Sequence, residues 1–466
     1  MNKFFAYIFV TISIVGFCFY KNSFIDFDKI AEESELKGRT FNNKPTEFIT
    51  PAGIKVWLLE DRSVDLISVS FSFNRAGTAY DDEDKKGVSL ITAQMLDGGT
   101  KDYDYKAYHD LLDINGIYIG FGTDNDYFNG FMTSPTINIH SNETNISTSD
   151  NKKLAFDILK KVLYEPRLDE SFLKTLQKQF EVLVKTQKEN PKTELSLQFT
   201  KELFKNHPYS RTIDDMAKDV ASLEVSDIKN FITGSFVKDN LIISVAGNIS
   251  KDELIDYIDE VFGSLEQTNG RVQLNKPDID YSSEPVIIQR DTAQVISSFA
   301  LEGVKRTDSN FYPLYIANHI FGGSGLTSRI SVASREKEGL TYGIYTYLDA
   351  EDLAPLIIGG FSCVPENYEK VKKILKKQMK KFASKGVTKK ELLNAKKYLL
   401  ASYNLRFKST LELSKMLTQM QKYKLGLDFL QKRNNYVENV TLAEVNKAAA
   451  QYYNKQPKEV VIGLIK

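Results

Sequence analysis

Two stretches constrain the fold of this chain more than any other feature. Residues 223–247 (LEVSDIKNFITGSFVKDNLIISVAG) and 440–465 (VTLAEVNKAAAQYYNKQPKEVVIGLI) each read as a short helix, a polar turn and a closing strand. The order of elements before them repeats too. "LISVSFSFNRAG" (66–77) is matched by "QVISSFALEG" (294–303), and "GVSLITAQMLDGGT" (87–100) by "FYPLYIANHIFGGSG" (311–325). "KLAFDILKKVLYEP" (153–166) is matched by "YEKVKKILKKQMKKF" (368–382). Such self-similarity means one architecture used twice. At 466 residues the chain is also too long for one ordinary core. The expectation is an α+β protein of two homologous α/β halves, each a mainly antiparallel sheet covered by helices. The halves span 45–265 and 286–466. The linker between them, 266–285, is polar and holds Gly270, Pro277 and Pro285.

Local patterns fit this organisation. In "EFITPAGIKVWLLED" (47–61) a Pro-Ala-Gly turn interrupts strand-like sequence, and Ile54, Val56 and Leu58 alternate. Ile67, Val69, Phe71 and Phe73 point one way and Ser68, Ser70 and Ser72 the other, which predicts a half-buried strand. Leu154, Ile158, Leu159 and Val162 mark a helix at 3.6 spacing. Residues 168–206 read as helical apart from a break at Asn190-Pro191, and "NLIISVAG" (240–247) as a short buried strand. Ser250/Glu253 and Thr388/Glu391 have capping-box spacing. No GxGxxG or GxxxxGK[ST] occurs, which disfavours a nucleotide-binding fold, and Gly322, Gly323 and Gly325 read as a turn.

Lys+Arg and Asp+Glu each number 61, so net charge gives no general attraction to nucleic acid or an acidic membrane. The N-terminus is distinct. Lys3 precedes an unbroken apolar run from Phe4 to Tyr20, a basic n-region followed by an h-region. Residues 1–22 are expected to be a signal peptide or membrane anchor. The chain is then exported: periplasmic, or anchored in the inner membrane facing the periplasm. The run is short of the ~20 residues of a comfortable span, and a clear small-x-small cleavage site is missing. If Cys18 leaves with a signal, Cys363 stands alone, a buried inert thiol in "LIIGGFSC". His109, His140, His207 and His319 are scattered without an i, i+4 pair, and each reads as structural. "KVKKILKKQMKKF" (370–382) and "TKKELLNAKKYLL" (388–400) read as solvated helix faces, the first over a stripe of Val371, Ile374, Leu375 and Phe382. A basic partner patch is the other reading of these runs. The sequons at Asn142, Asn145, Asn248 and Asn439 read as chance matches in an Asn-rich chain.

Five stretches, in this order, resemble the M16 family of peptidases (pitrilysin, insulinase and mitochondrial processing peptidase). They are "TPAGIKVWLLED" (50–61), "RAGTAYDD" (75–82), "GVSLITAQMLDGGT", "NHPYSRTID" (206–214) and "GGSGLTSRISVASREKEGLTYGIYTYL" (322–348). The resemblance covers nearly the whole chain from residue 45. It implies that the two halves form half of a clam-shell chamber. In active members the helix at 87–96 carries H-x-x-E-H: two His four apart bind one zinc ion, and the Glu takes a proton from the metal-bound water. On that frame Leu90 and Gln94 stand at the His positions and Ala93 at the Glu position. Leu has no lone pair, Gln only a weak amide oxygen, and Ala cannot act as a base. The third family ligand is a Glu on a later helix, where Glu181 and Glu189 are the carboxylates here. One carboxylate would not hold zinc, so no metal site is expected in this chain. In the second half Arg335 and Tyr342 match a family Arg/Tyr pair associated with positioning substrate. A guanidinium fork and a phenol can hydrogen-bond peptide carbonyls. Without the resemblance, Arg335 would read as paired with Glu336 or Glu338, and Tyr342 as packed in a strand.

The resemblance implies a catalytically inactive subunit that pairs with an M16 subunit carrying H-x-x-E-H to form a heteromeric metallopeptidase. Arg335 and Tyr342 would be its substrate-binding residues, with zinc in the partner and no cofactor in this chain. The substrate would be a peptide or unfolded polypeptide. Two alternatives stand beside it: a structural or assembly subunit, and a peptide-binding protein without peptidase activity. The latter needs only an open sheet edge for strand addition.

Overall fold

Strands β1 (Thr46–Ile49) and β2 (Lys55–Glu60) form a hairpin closed by Gly53 at φ 84°. Next come β3 (Leu66–Asn74), α1 (Val88–Met95), α2 (Tyr105–Ile114), β4 (Tyr118–Thr123) and β5 (Tyr127–Pro135). Helices α3 (Asn151–Tyr164), α4 (Glu170–Gln187), α5 (Pro191–Leu203), α6 (Ile213–Ser222) and α7 (Val225–Ser235) lead to β6 (Leu241–Gly247) and α8 (Lys251–Phe262). The second half runs β7 (Val286–Ile288), β8 (Val295–Glu302), α9 (Phe311–Asn318), β9 (Gly343–Asp349) and β10 (Leu356–Cys363). It ends with α10 (Tyr368–Lys385), α11 (Lys389–Ala401), α12 (Thr410–Lys422), α13 (Phe429–Asn439), α14 (Leu442–Tyr452) and β11 (Lys458–Ile462). This computed structural model describes residues 44–137, 151–187, 189–268, 270–403 and 407–465. The expected signal or anchor at 1–22, with Cys18, and also His140, Asn142 and Asn145, lie outside the described residues.

The strand orders are β1-β2-β6-β3-β5-β4 and β7-β11-β8-β10-β9. Without β1 they coincide, with β2 matching β7 and β6 matching β11. In each sheet the closing strand enters parallel to one neighbour and antiparallel to the other. The duplicated α+β fold is as the repeats predict. The helix break also falls where expected: Asn190 Oδ1 accepts from Lys192 N at 3.0 Å and starts α5. The Thr388/Glu391 box closes in both directions. The Ser250 cap closes in one only. Its side chain accepts from Glu253 N at 3.4 Å, while the Glu253 carboxylate is held by Lys152 at 2.5 Å.

Strand β3 corrects the sequence expectation. Ile67, Val69, Phe71 and Phe73 face the main core, but Ser68, Ser70 and Ser72 are buried as well. The reason is α12 of the second half, which lies across the serine face. Ser68 Oγ is 2.8 Å from Thr410 Oγ1, and Thr418 Oγ1 donates to the Ser70 carbonyl at 3.3 Å. Gln421 Nε2 donates to the Ile243 carbonyl at 2.7 Å and to Ser244 Oγ at 2.9 Å. Between these bonds Leu413, Leu417 and Met420 pack with Trp57, Leu59 and Ala246. The exchange is reciprocal. Helix α5 of the first half places Leu195, Phe199 and Leu203 with Ala300, Leu356, Val460 and Ile462 of the second sheet. In the repeat, α5 and α12 occupy equivalent places.

The same junction holds a polar cluster. Buried Lys422, at the end of α12, donates to Asn129 Oδ1 at 2.8 Å, and its Nζ lies 3.7 Å from the centre of the Tyr127 ring. The turn between β4 and β5 brings Asp124 and Asp126, and the turn after β9 brings Glu351 and Asp352 beside Asp349. Tyr209 OH donates to Asp126, and Tyr423 OH to Glu351 at 3.3 Å. Burial, aided by the neighbouring carboxylates, pushes Glu351 up to about 8. Burial pushes Asp126 and Asp349 up to about 6.

Two outcomes follow from the clasped halves. Leu417→Ala should cost roughly 2–5 kcal/mol. Urea midpoints from Trp57 fluorescence and from far-UV circular dichroism should fall together; a fall in one alone would contradict a shared core. The second concerns pH. Glu351 keeps its proton in the native state up to about 8, against an ordinary value of 4.5. The native state therefore binds more protons than the unfolded chain in that window, and stability falls as pH rises through it. Glu351→Gln should flatten the fall between pH 5 and 8; unchanged slopes would refute the assignment.

Candidate functional site

Helix α1 begins at Gly87, whose φ of 87° is left-handed; a Cβ there would lie 2.7 Å from Val220 Cγ2 on α6. The free N–H groups at this helix start are met by Asp81 of "RAGTAYDD". Its carboxylate accepts from Gly87 N at 2.8 Å, Ser89 N at 3.3 Å and Ser89 Oγ at 3.0 Å. Burial pushes the Asp81 carboxyl up to about 7. Arg211 of "NHPYSRTID" braces that loop. Its Nη1 donates to the carbonyls of Thr78, Ala79 and Asp81 at 3.2, 3.3 and 2.7 Å, and its Nη2 meets Glu83 at 2.5 Å. His207 Nδ1 accepts from Tyr209 N at 3.1 Å, and Nε2 donates to the Asn275 carbonyl at 2.9 Å. These motifs build the start of one helix.

Leu90 and Gln94 lie one turn apart on α1. Leu90 is half-buried against the main core, Ala93 is buried, and Gln94 is half-buried. The core side of α4 carries Leu173, Leu176 and Phe180, with Leu183 and Val184 beside them. Glu181 is instead exposed and paired with Lys185 at 2.6 Å, and Glu189 is exposed beyond the end of α4. The donor set at this place does not fit a zinc ion. Among the described residues no group of three or more His, Cys, Asp or Glu could hold a metal. His109 Nε2 is 3.1 Å from the Asp97 carbonyl. His319 is buried, stacked on Tyr398, and pushed down to about 4 by burial. Cys363 is buried, and burial pushes its thiol up to about 11.

In the second half the counterpart of α1 is α9, and the Arg/Tyr motif lies just beyond it, in the segment between α9 and β9. Gly322 lies so close to β9 that a Cβ would be 2.3 Å from Thr346 Oγ1. Ser328 caps a short turn, Arg329–Ser331, which runs into a π-helical turn, Val332–Glu336. Arg329 grips Glu391 with two parallel bonds of 2.6 and 2.7 Å. Although burial would raise the Glu391 carboxyl, the bonds from Arg329 and Thr388 hold it down to about 2. Ser334 Oγ donates to the Ile330 carbonyl at 2.7 Å, and Leu340 N to the Ser334 carbonyl at 2.9 Å. Tyr342 N donates to the Ser362 carbonyl at 3.1 Å, extending the β9–β10 ladder. On this braced backbone the Arg335 and Tyr342 side chains are exposed, Tyr342 at 61%. Among the described residues Arg335 pairs with neither Glu336 nor Glu338, and Tyr342 is not packed in the strand. Arg335 and Tyr342 share one surface segment. Leu90, Ala93 and Gln94 lie in the other half, on a helix whose main neighbours are α7, β4 and α4.

Residues 222–399 match the family model described as peptidase M16 inactive domain. The chain is 24% identical over 402 residues to a Helicobacter pylori protein named non-peptidase homolog YmxG, covering 85% of this chain and 89% of that one. It is 23% identical over 359 residues to a Bacillus subtilis protein named uncharacterized zinc protease YmxG, covering 77% and 83%. The solved M16 inactive domain from Pseudomonas fluorescens matches with TM-score 0.80 and 24% identity, over 91% of this chain and 98% of that one. Residues 222–399 thus match an M16 inactive domain, and the chain is M16-like over most of its length. These relatives carry both protease and non-peptidase names, while the matched model and the Pseudomonas structure are both described as an M16 inactive domain; this is an inactive M16-like protein.

Sequence reasoning missed Asp81, Arg211 and Arg329. The motifs containing them were visible, but their partners lie at distances in sequence that no local rule pairs. Gly87→Ala should cost about 1–3 kcal/mol through backbone strain and the clash with Val220. Chemical denaturation checks this; a loss under ~0.5 kcal/mol would show that the helix start is not constrained as described.

Proposed function

We propose that this M16-like chain is the non-catalytic subunit of a two-chain zinc peptidase, contributing Arg335 and Tyr342 to substrate binding. The observation that carries the reading is the contrast between the two halves. Helix α1 carries packing residues at the places the resemblance assigns to ligands and base, while the braced segment beyond α9 presents a guanidinium and a phenol with no partner among the described residues. Such groups can donate to the carbonyls of an extended peptide, or stabilise charge developing on one. The partner subunit would bring H-x-x-E-H and the zinc. Lys3 and the apolar run from Phe4 to Tyr20 support an exported chain, acting in the periplasm or on the outer face of the inner membrane.

The test is reconstitution. Alone, the chain should cleave no peptide; mixed with an H-x-x-E-H partner, it should restore or raise cleavage. Arg335→Ala should lower the joint kcat/KM about tenfold or more, and Tyr342→Phe by about threefold to tenfold, from the hydrogen bonds lost. Size-exclusion chromatography would verify that the complex persists. Wild-type rates from both variants in an intact complex would remove the assigned role and leave the assembly reading.

A further inference from the structure

Helix α10 holds eight lysines and one acid in 18 residues. Its apolar stripe, Tyr368, Val371, Leu375, Met379 and Phe382, is buried against the second half's core. That turns Lys373, Lys377, Lys380 and Lys381 outward, and all four are exposed. Elsewhere a number of lysines sit in ion pairs, as Lys85 does with Asp227, Lys152 with Glu253, Lys161 with Asp102 and Lys201 with Asp215. Among the described residues none of the four outward lysines has such a partner, although the chain holds as many acids as bases. Their spacing adds repulsion, because Lys373, Lys377 and Lys381 follow one another at i, i+4. Glutamates at alternate places would have made the same helix soluble and self-paired. A surface of fixed negative charge relieves this repulsion.

We propose that the outward face of α10 docks on anionic lipid headgroups. A helix presents charges at i, i+4 as a row along its length, rising about 1.5 Å per residue, which suits a flat surface. The face carries no exposed aromatic ring on which a nucleobase could stack. Clustered lysines draw a protein to anionic lipid additively and in a salt-sensitive way. The inference rests on the exported, membrane-associated reading of the N-terminal run and is independent of the peptidase pairing.

The full chain, added to vesicles of phosphatidylcholine with or without phosphatidylglycerol, is acetylated at lysine and read by mass spectrometry. Lys373, Lys377, Lys380 and Lys381 should react about fivefold more slowly with the anionic vesicles, and high salt should remove the protection. Exposed Lys55 and Lys229, away from α10, serve as internal controls. A Lys373→Gln/Lys377→Gln/Lys380→Gln variant with unchanged circular dichroism should lose the protection at Lys381. Equal reaction rates in both vesicles would overturn the proposal. So would protection of α10 that needs nucleic acid or the zinc-binding subunit. Joint peptide cleavage, measured without lipid, separates a failure here from a failure of the peptidase pairing.

Discussion

The seating of α12 on the serine face of the first sheet is the contact on which the rest of the architecture depends. Each sheet has two faces, and each half supplies enough helix to cover only one with its own main core. The second face is covered by the other half, through α12 in one direction and α5 in the other. Ser68, Ser70 and Ser244 are small enough to let a helix approach closely. Most of the polar groups this buries are bonded across the junction, by Thr410, Thr418 and Gln421. A helix withdrawn from this face would expose Trp57, Leu59 and Ala246 and leave those bonds open. The two halves repeat one architecture and share two apolar clusters across their junction.

Because the exchanged helices are equivalents, the junction can be built twice from one pattern. Its polar end, however, appears once in the contacts described. Lys422 is surrounded by carboxylates from both halves, and burial works against every charge there. Such a cluster adds little stability at neutral pH and makes the junction responsive to protons. The apolar part of the contact holds the halves together; the charged part modulates it.

Much of the fold was legible because its signals are local. Helix period, strand alternation, the Asn190 cap and the Thr388/Glu391 box depend on residues a few positions apart. The serine face of β3 was misread because a polar alternate face looks the same whether it meets water or a serine-matched helix. The Ser250 box formed only half because Lys152, far away in sequence, takes the Glu253 carboxylate. At the candidate site, Leu90, Ala93 and Gln94 were placed at ligand and base positions by the resemblance. What holds that helix in place was not legible, since Asp81 caps it from six residues upstream of Gly87. Arg329 and Arg335 look interchangeable in the motif. Only Glu391, 62 residues beyond Arg329, separates the bracing arginine from the unengaged one.

That separation bears on function. Leu90 faces the core and contributes to folding, so its place on α1 is explained within the chain. Arg335 and Tyr342 contribute little of that kind: exposed side chains without partners are nearly neutral for stability. Yet the backbone beneath them is held at several points: by a bidentate ion pair, a buried serine bond, a glycine pressed on β9 and a ladder bond to β10. Rigid support beneath them fixes where the two side chains leave the backbone, which under the proposed reading lowers part of the entropy lost on meeting a peptide. A chain that served only as packing material would have no physical need for that combination, and this is why the reading falls on substrate contact before assembly.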